Sequence, residues 1–365
     1  MQVDLHGAVR IACLAAEFDW TWTIDDIARF CATANWTEES RDEHGVNALT
    51  GLNIEDPGAL FVYDLASLSR YGKPGQQVSE LTLPVSDQCV THGESCYAPT
   101  LDPTLRQNHR SLTDTFAALT NRITAELGEP AHSGPGPEPS IRWHPMRKTE
   151  GRSEGTPDES PEAVIELCVR NGCLDLRIIN PAVQAWWDAW VADTEEDEEI
   201  AEDEDGTWEA YHFEDFHQAT DVMPDKPRTW PEFSAALALT LTRLRQVGVL
   251  VLNKGDQCSA EFRLTPFRIS CRLARAQSFP PGDSVAMTDN GWSFEQDTAT
   301  ETWVLSTQWP APYQDLETLA DAAVRAVREL IHVADPADLE VSGWDDYPST
   351  HPDLTAFGIC SYCDC

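Results

Sequence analysis

The chain has 365 residues, of which 62 are acidic and 25 basic, for a formal net charge of −37. That excludes the positive footprint needed for nucleic-acid binding and leaves a basic partner, or simple solubility, as what the charge serves. A hydrophobic content of 41% with 13 Trp belongs to core-forming sequence, and the length suits two domains. No stretch approaches the ~20 apolar residues of a membrane span, and residues 1–18 lack a basic flank and a long apolar segment, so a cytoplasmic protein without membrane contact is expected.

Eleven Cys, an odd number spread over the whole chain, read as reduced thiols rather than a disulfide framework. Residues 8–18 predict a first helix. A second starts at Thr23 as N-cap, with Asp26 in its first turn and Ile24, Ile27, Ala28 and Cys31 on its buried side. Trp20, Trp22 and Trp36 flank it and read as core aromatics. Three strand-like pieces follow within 46–89, separated by turn signals at Asp56-Pro57-Gly58 and Gly72-Lys73-Pro74-Gly75. A helix is predicted over 105–127, with Leu112, Phe116, Leu119 and Ile123 on one side and Gly128 closing it. Residues 131–161 read as surface loop, apart from a strand start at Ile141-Arg142-Trp143. The runs 162–170 and 173–180 are joined by Asn171-Gly172, a two-residue hairpin signal because a type I′ turn needs positive φ at both central positions. Cys168 and Cys173 fall near each other on it and read as packed thiols. Pro181 then opens a short helix expected to lay Trp186, Trp187 and Trp190 on the sheet.

Between Asp193 and Asp205, ten of thirteen residues are acidic; like charges at that density repel and solvate, so the run reads as a flexible linker. Beyond it, Thr229 and Glu232 form a capping-box pattern, and Phe233, Leu237, Leu241 and Leu244 continue an apolar stripe toward Gly248. Val249 to Leu252 then form a strand apolar on both faces. Ala260, Phe262 and Leu264, then Ile269, Cys271 and Leu273, alternate with polar residues and predict two antiparallel strands. Their solvent face carries Arg263, Arg268 and Arg272, with Arg275 just beyond. This strip either compensates the protein's own field, pairs with the acidic run, or is a binding face. An irregular segment with Trp292, Trp303 and Trp309 leads to a last helix over about 316–333. Cys360, Cys363 and Cys365 have zinc-like spacing with His351 nearby, but a structural site wants four ligands, so the tail reads as unstructured rather than as a zinc site, and no cofactor is expected. Phosphate loop, nucleophile elbow and metalloprotease helix are all missing, and no carboxylate pair is spaced for acid–base work, so an enzyme is not expected.

The expected fold class is α+β: two domains, each an antiparallel sheet packed with helices in α-β-β-β-α order, the second with room for a short strand after it at Leu339-Glu340-Val341. The boundaries are 1–192, an acidic linker 193–227, a second domain 228–346 and a Cys-rich tail 347–365. The order resembles the type III secretion chaperone and YbjN-like fold. Trp230, Phe233, Leu237, Leu241 and Leu244, with Gly291-Trp292, Trp303, Pro336, Leu339 and Trp344, resemble the pattern of a TY-Chap domain. More weakly, Asp19-Trp20-Thr21-Trp22 through Asp26 resembles the opening of an uncharacterised bacterial family. The first resemblance implies a non-catalytic chaperone-like protein that binds a protein or peptide, such as a secreted effector or toxin. The alternative is an immunity protein covering a toxin's folded active site.

Overall fold

The computed structural model describes residues 1–42, 44–63, 77–87, 103–136, 138–145, 163–170, 172–189, 226–244, 248–255, 257–274, 287–296, 301–344 and 354–357. The chain divides into two compact units, one of Met1–Gln88, Leu119–Ala131 and Ile141–Ala219, the other of Cys89–Ala118, His132–Ser140 and Thr220–Cys365.

In the first unit, α1 (Leu5–Glu17) begins where Asp4 accepts the N–H of Gly7 at 2.7 Å. Ala8, Ile11, Ala12 and Ala15 recur at helical spacing and are buried. α2 (Ile24–Ala34) ends at Asn35, whose left-handed φ of 59° suits an Asn closing a helix. Four strands follow: β1 (Thr37–Arg41), β2 (Gly45–Leu49), β3 (Gly58–Tyr63) and β4 (Val78–Pro84). After α3 (Pro103–Leu127) come β5 (His132–Gly134), which like the first half of α3 is counted with the second unit, β6 (Ser140–Trp143), β7 (Val164–Arg170) and β8 (Cys173–Ile179). The sheet order is β1-β2-β3-β4-β8-β7-β6-β5. The β4–β8 pairing thus joins the early meander to the late hairpin, and Phe61, Leu81, Ile178 and Ile165 form one register row of fully buried side chains across it.

The hairpin expected at Asn171-Gly172 is present: Arg170 pairs with Cys173, and Gly172 has φ 75°. Two strands carry no apolar signal and were not expected, β1, all five residues of which are exposed, and β5. The helix after Pro181, α4 (residues 181–189), leaves Trp186 half-buried and Trp187 47% exposed, so Trp187 does not cover the sheet; Trp190 lies outside the described residues.

The opposite face of this sheet holds an ionic network. Glu166 on β7, whose side chain is 3% exposed, accepts Arg142 Nε at 2.6 Å and Arg177 Nη1 at 2.5 Å. Arg177 also donates to Glu80, and Arg142 reaches Asp188 on α4 at 3.4 Å. A carboxylate this deep persists because each of its oxygens receives a charged donor.

In the second unit, α5 (Trp230–Leu241) carries the expected capping box: Thr229 accepts the N–H of Glu232, and Glu232 accepts that of Thr229 at 3.0 Å. The N–H of Arg228, at 2.9 Å, and then Thr229 hold the Glu232 carboxyl below its ordinary value. The helix stops at Leu241, about two turns short of the expected run to Gly248. Thr242 and Arg243 bond back to Leu239 and Thr240, three residues behind them, which tightens and ends the coil. It is also buried around most of its circumference rather than along one stripe, with Ser234, Ala238, Leu239 and Thr240 enclosed as well. Ser234 is satisfied by donating to Asp321.

The strands are β9 (Val249–Lys254), β10 (Gln257–Thr265), β11 (Arg268–Ala274), β12 (Ser293–Gln296) and β13 (Glu301–Gln308); α6 (Tyr313–Leu330) and β14 (Glu340–Trp344) follow. Their order is β12-β13-β11-β10-β9-β14. The α+β class with antiparallel pairing is as expected. The element order is longer than α-β-β-β-α, because the segment expected to be irregular supplies β12 and β13, while the short strand expected at 339–341 is β14, which returns beside β9. Leu250, Phe262 and Cys271 align across β9, β10 and β11 and are fully buried; α5 and α6 pack against each other, and α6 lies against β10 and β13.

Candidate binding surfaces of the second unit

The face of the six-stranded sheet opposite Phe262 and Cys271 carries the arginine strip. β10 and β11 pair with Glu261 opposite Arg272, Arg263 opposite Ser270 and Thr265 opposite Arg268. Strand alternation therefore puts all three guanidinium groups on one face with Ser270, Ser306 and Gln308. Arg263, Arg268 and Arg272 are exposed. Arg263 pairs with Glu261, and Arg272 Nη2 lies 3.8 Å from Glu295 on β12. Two of the three positive charges are thus balanced within the unit, by acidic partners that the sequence pattern alone did not single out. Arg275 lies outside the described residues.

A second surface is assembled from residues far apart in the chain. The first half of α3, through Ala118, belongs to the second unit. Its buried face carries Leu112, Phe116 and Ala117, and the Phe116 ring stands 6.1 Å from that of Trp309. Polar contacts surround this centre. Arg110 Nη2 donates to Glu317 at 2.9 Å, and its guanidinium lies 5.2 Å over the Tyr313 ring. Asp114 Oδ1 accepts the backbone N–H of Tyr313 at 2.7 Å. α6 opens after Pro312, which offers no side-chain cap, so a carboxylate from α3 satisfies the donor that a local Ser or Asp would otherwise take.

His109 Nε2 lies 2.7 Å from Thr242 Oγ1 at the end of α5. That hydroxyl spends its only proton on the carbonyl of Leu239, at 2.6 Å. It therefore accepts from His109, which fixes the imidazole as the Nε2–H tautomer. Loss of solvent, and then the charge of Arg243, push the His109 pKa down to about 3. No local pattern announces this constellation; Leu112 and Phe116 marked the helix as amphipathic without saying what it meets.

The motif at Asp19 to Asp26 has a structural role. Trp20 and Trp22 stack at 4.6 Å, Trp20 Nε1 donates to the carbonyl of Ala15 at 2.8 Å, and both rings are buried. Asp26, fully buried, accepts the N–H of Thr21 at 2.7 Å and Arg29 Nη1 at 2.5 Å. Thr23 occupies the N-cap position without a side-chain capping bond, its hydroxyl lying 3.0 Å from that of Thr21; Asp26 ties down the turn instead. In the second unit Trp292, Trp303 and Leu339 are core residues, and Gly291 adopts a φ of 84°.

Cys168 is buried, its thiol pushed up by desolvation and then by Glu166, the opposite of a reactive thiol, and Cys173 donates to the carbonyl of Arg170 at 3.0 Å. Cys360, Cys363 and Cys365 lie outside the described residues. Among the described residues no three His, Cys, Asp or Glu side chains are grouped as a metal site, and no helix is long and apolar enough to cross a membrane.

No curated protein and no solved structure matches the chain. Residues 6–149 match a family of unknown function (DUF6301), and residues 224–345 match TY-Chap3, described as T3SS (YopN, CesT) and YbjN peptide-binding chaperone 3. The chain is thus similar, across its second sheet and the helices α5 and α6, to a peptide-binding chaperone family, and across its first 149 residues to a family without a known function.

Proposed function

We propose that this protein is a non-catalytic chaperone that binds a segment of another polypeptide and escorts it, the client being a secreted effector or toxin. The match of residues 224–345 to a peptide-binding chaperone family carries this reading. The second sheet supports it, with helices on one face and Arg263, Arg268 and Arg272 exposed on the other. Guanidinium groups in that setting donate to the carbonyl and carboxylate groups of an extended segment. A net charge of −37 accelerates encounter with a client that is basic overall, and this steering weakens as salt rises past ~0.15 M, where the Debye length is about 8 Å.

The test is capture of a polypeptide from the native cytoplasm at low salt, then titration of its fragments against the purified chain. A chaperone retains affinity for a short, unfolded fragment, and changing Arg263, Arg268 and Arg272 together to Glu lowers that affinity. Binding only to the intact, folded partner overturns this reading in favour of an immunity protein. Turnover of a small molecule with no polypeptide bound overturns both.

A further inference from the structure

We propose that the surface formed by the end of α5, the start of α6 and Trp309 is a seat for a client helix, and that residues 106–118 of α3 are its tethered occupant. This rests on the chaperone reading and names the kind of client segment it takes. The span that matches the chaperone family runs from residue 224 to 345 and does not contain α3. Within that span the N–H of Tyr313 has Pro312 in front of it and no side-chain cap, and the group that bonds it comes from Asp114, 199 residues upstream. The element that completes this surface is therefore an addition to the chaperone-like span rather than part of it.

The contact is also built as an interface. Its centre is apolar, Phe116 against Trp309 with Leu112 and Ala117 buried beside it. Its margin is polar and wet, the Arg110 and Glu317 side chains being 40% and 38% exposed. An apolar centre inside an exchangeable polar rim is how separable partners meet, and an amphipathic helix laid in a groove is a standard mode of peptide recognition. The pattern the seat reads follows from the occupant: a basic residue, a carboxylate four positions later, and an aromatic two beyond that, as in Arg110, Asp114 and Phe116. The carboxylate is the distinguishing feature, because it meets the positive end of the α6 dipole as well as an unpaired donor.

The test uses the full-length chain and a fluorescently labelled peptide of residues 106–118. Changing Asp114 and Phe116 together to Ala weakens the tethered occupant and leaves Glu317, Tyr313, Thr242 and Trp309 in place. The peptide is expected to bind this variant at least tenfold more tightly than the unmodified chain. Adding Glu317→Arg should remove the gain, and Asp114→Asn, which keeps an acceptor, should exclude the peptide as the unmodified chain does. Equal binding to the variant and the unmodified chain, or none to either, overturns the proposal. If the double variant fails to fold, Arg110→Ala, which removes only a rim contact, provides the same comparison. A captured client that binds while the peptide comparison fails overturns the seat and leaves the chaperone reading standing. Loss of every client overturns that reading, and the peptide comparison still decides the seat.

Discussion

Asp114 and Tyr313 stand 199 residues apart in sequence and 2.7 Å apart in space, the carboxylate of one accepting the first backbone N–H of the helix that the other begins. α6 thus has its N-terminal cap supplied from another helix. Asp114→Ala should lower the unfolding free energy by about 1 kcal/mol, the usual worth of an N-cap, whereas Asp114→Asn should lose only a fraction of that. Urea denaturation of the three proteins, compared at constant m, checks it.

The neutral His109 makes the second unit sensitive to acid. Its folded pKa, about 3, is below that of a free imidazole, about 6.5. Between those two values the unfolded chain binds a proton that the folded chain refuses. The stabilisation is therefore complete above pH ~6.5 and is lost as pH falls below it. Moving from pH 7.5 to 5.0 should cost the unmodified protein about 2 kcal/mol more than His109→Gln, which can still donate to Thr242 but does not titrate in this range. A difference between their urea midpoints that does not change with pH would show that folding leaves the pKa of His109 unchanged.

Glu166 is the member of the ionic network whose loss should be felt most. Glu166→Gln leaves Arg142 and Arg177 largely enclosed without the carboxylate that balances them, and should destabilise by about 3 kcal/mol. Asp188→Asn, at a position 59% exposed on the rim of the same network, should change stability by less than about 0.5 kcal/mol. Thermal unfolding of both variants distinguishes a buried hub from a surface cluster of equal members.

Gly45 opens β2 beside β3, and a Cβ built there would lie 2.1 Å from the backbone oxygen of Phe61. Backbone in a ladder does not yield as a side-chain tip does, so Gly45→Ala should cost about 2–3 kcal/mol. Gly51, where added atoms meet nothing within 4 Å but φ is 68°, should instead show only the conformational penalty of a left-handed residue, about 1 kcal/mol on substitution by Ala. Circular dichroism melts of the two variants rank the effects.

What the sequence disclosed was local chemistry. Thr229 with Glu232, Gly172, Gly128 and the alternation from Ala260 to Leu273 each act within a few residues, and each element they predict is present. β1 stayed hidden because Thr37 to Arg41 are all exposed and alternate nothing. β13 stayed hidden because Val304, on the arginine face, is buried along with Trp303 on the other, which erases the period of two. The arginine strip was legible as a stripe of charge, but its balance by Glu261 and Glu295 depends on register and on a strand that was not expected. The seat of α3 was not legible at all. Which carboxylate meets which N–H across 199 residues is a property of the finished fold.

That distance has a consequence in time. At about 5–20 residues per second, a ribosome needs roughly 10–40 s to travel from Asp114 to Tyr313. Throughout that interval Phe116 exists as chain while Trp309, whose ring it meets, and the start of α6, whose first N–H Asp114 accepts, do not. The nascent polypeptide therefore carries Phe116 without its partner ring for about half of its synthesis, and a protein proposed to shelter the segments of others depends for that period on being sheltered itself.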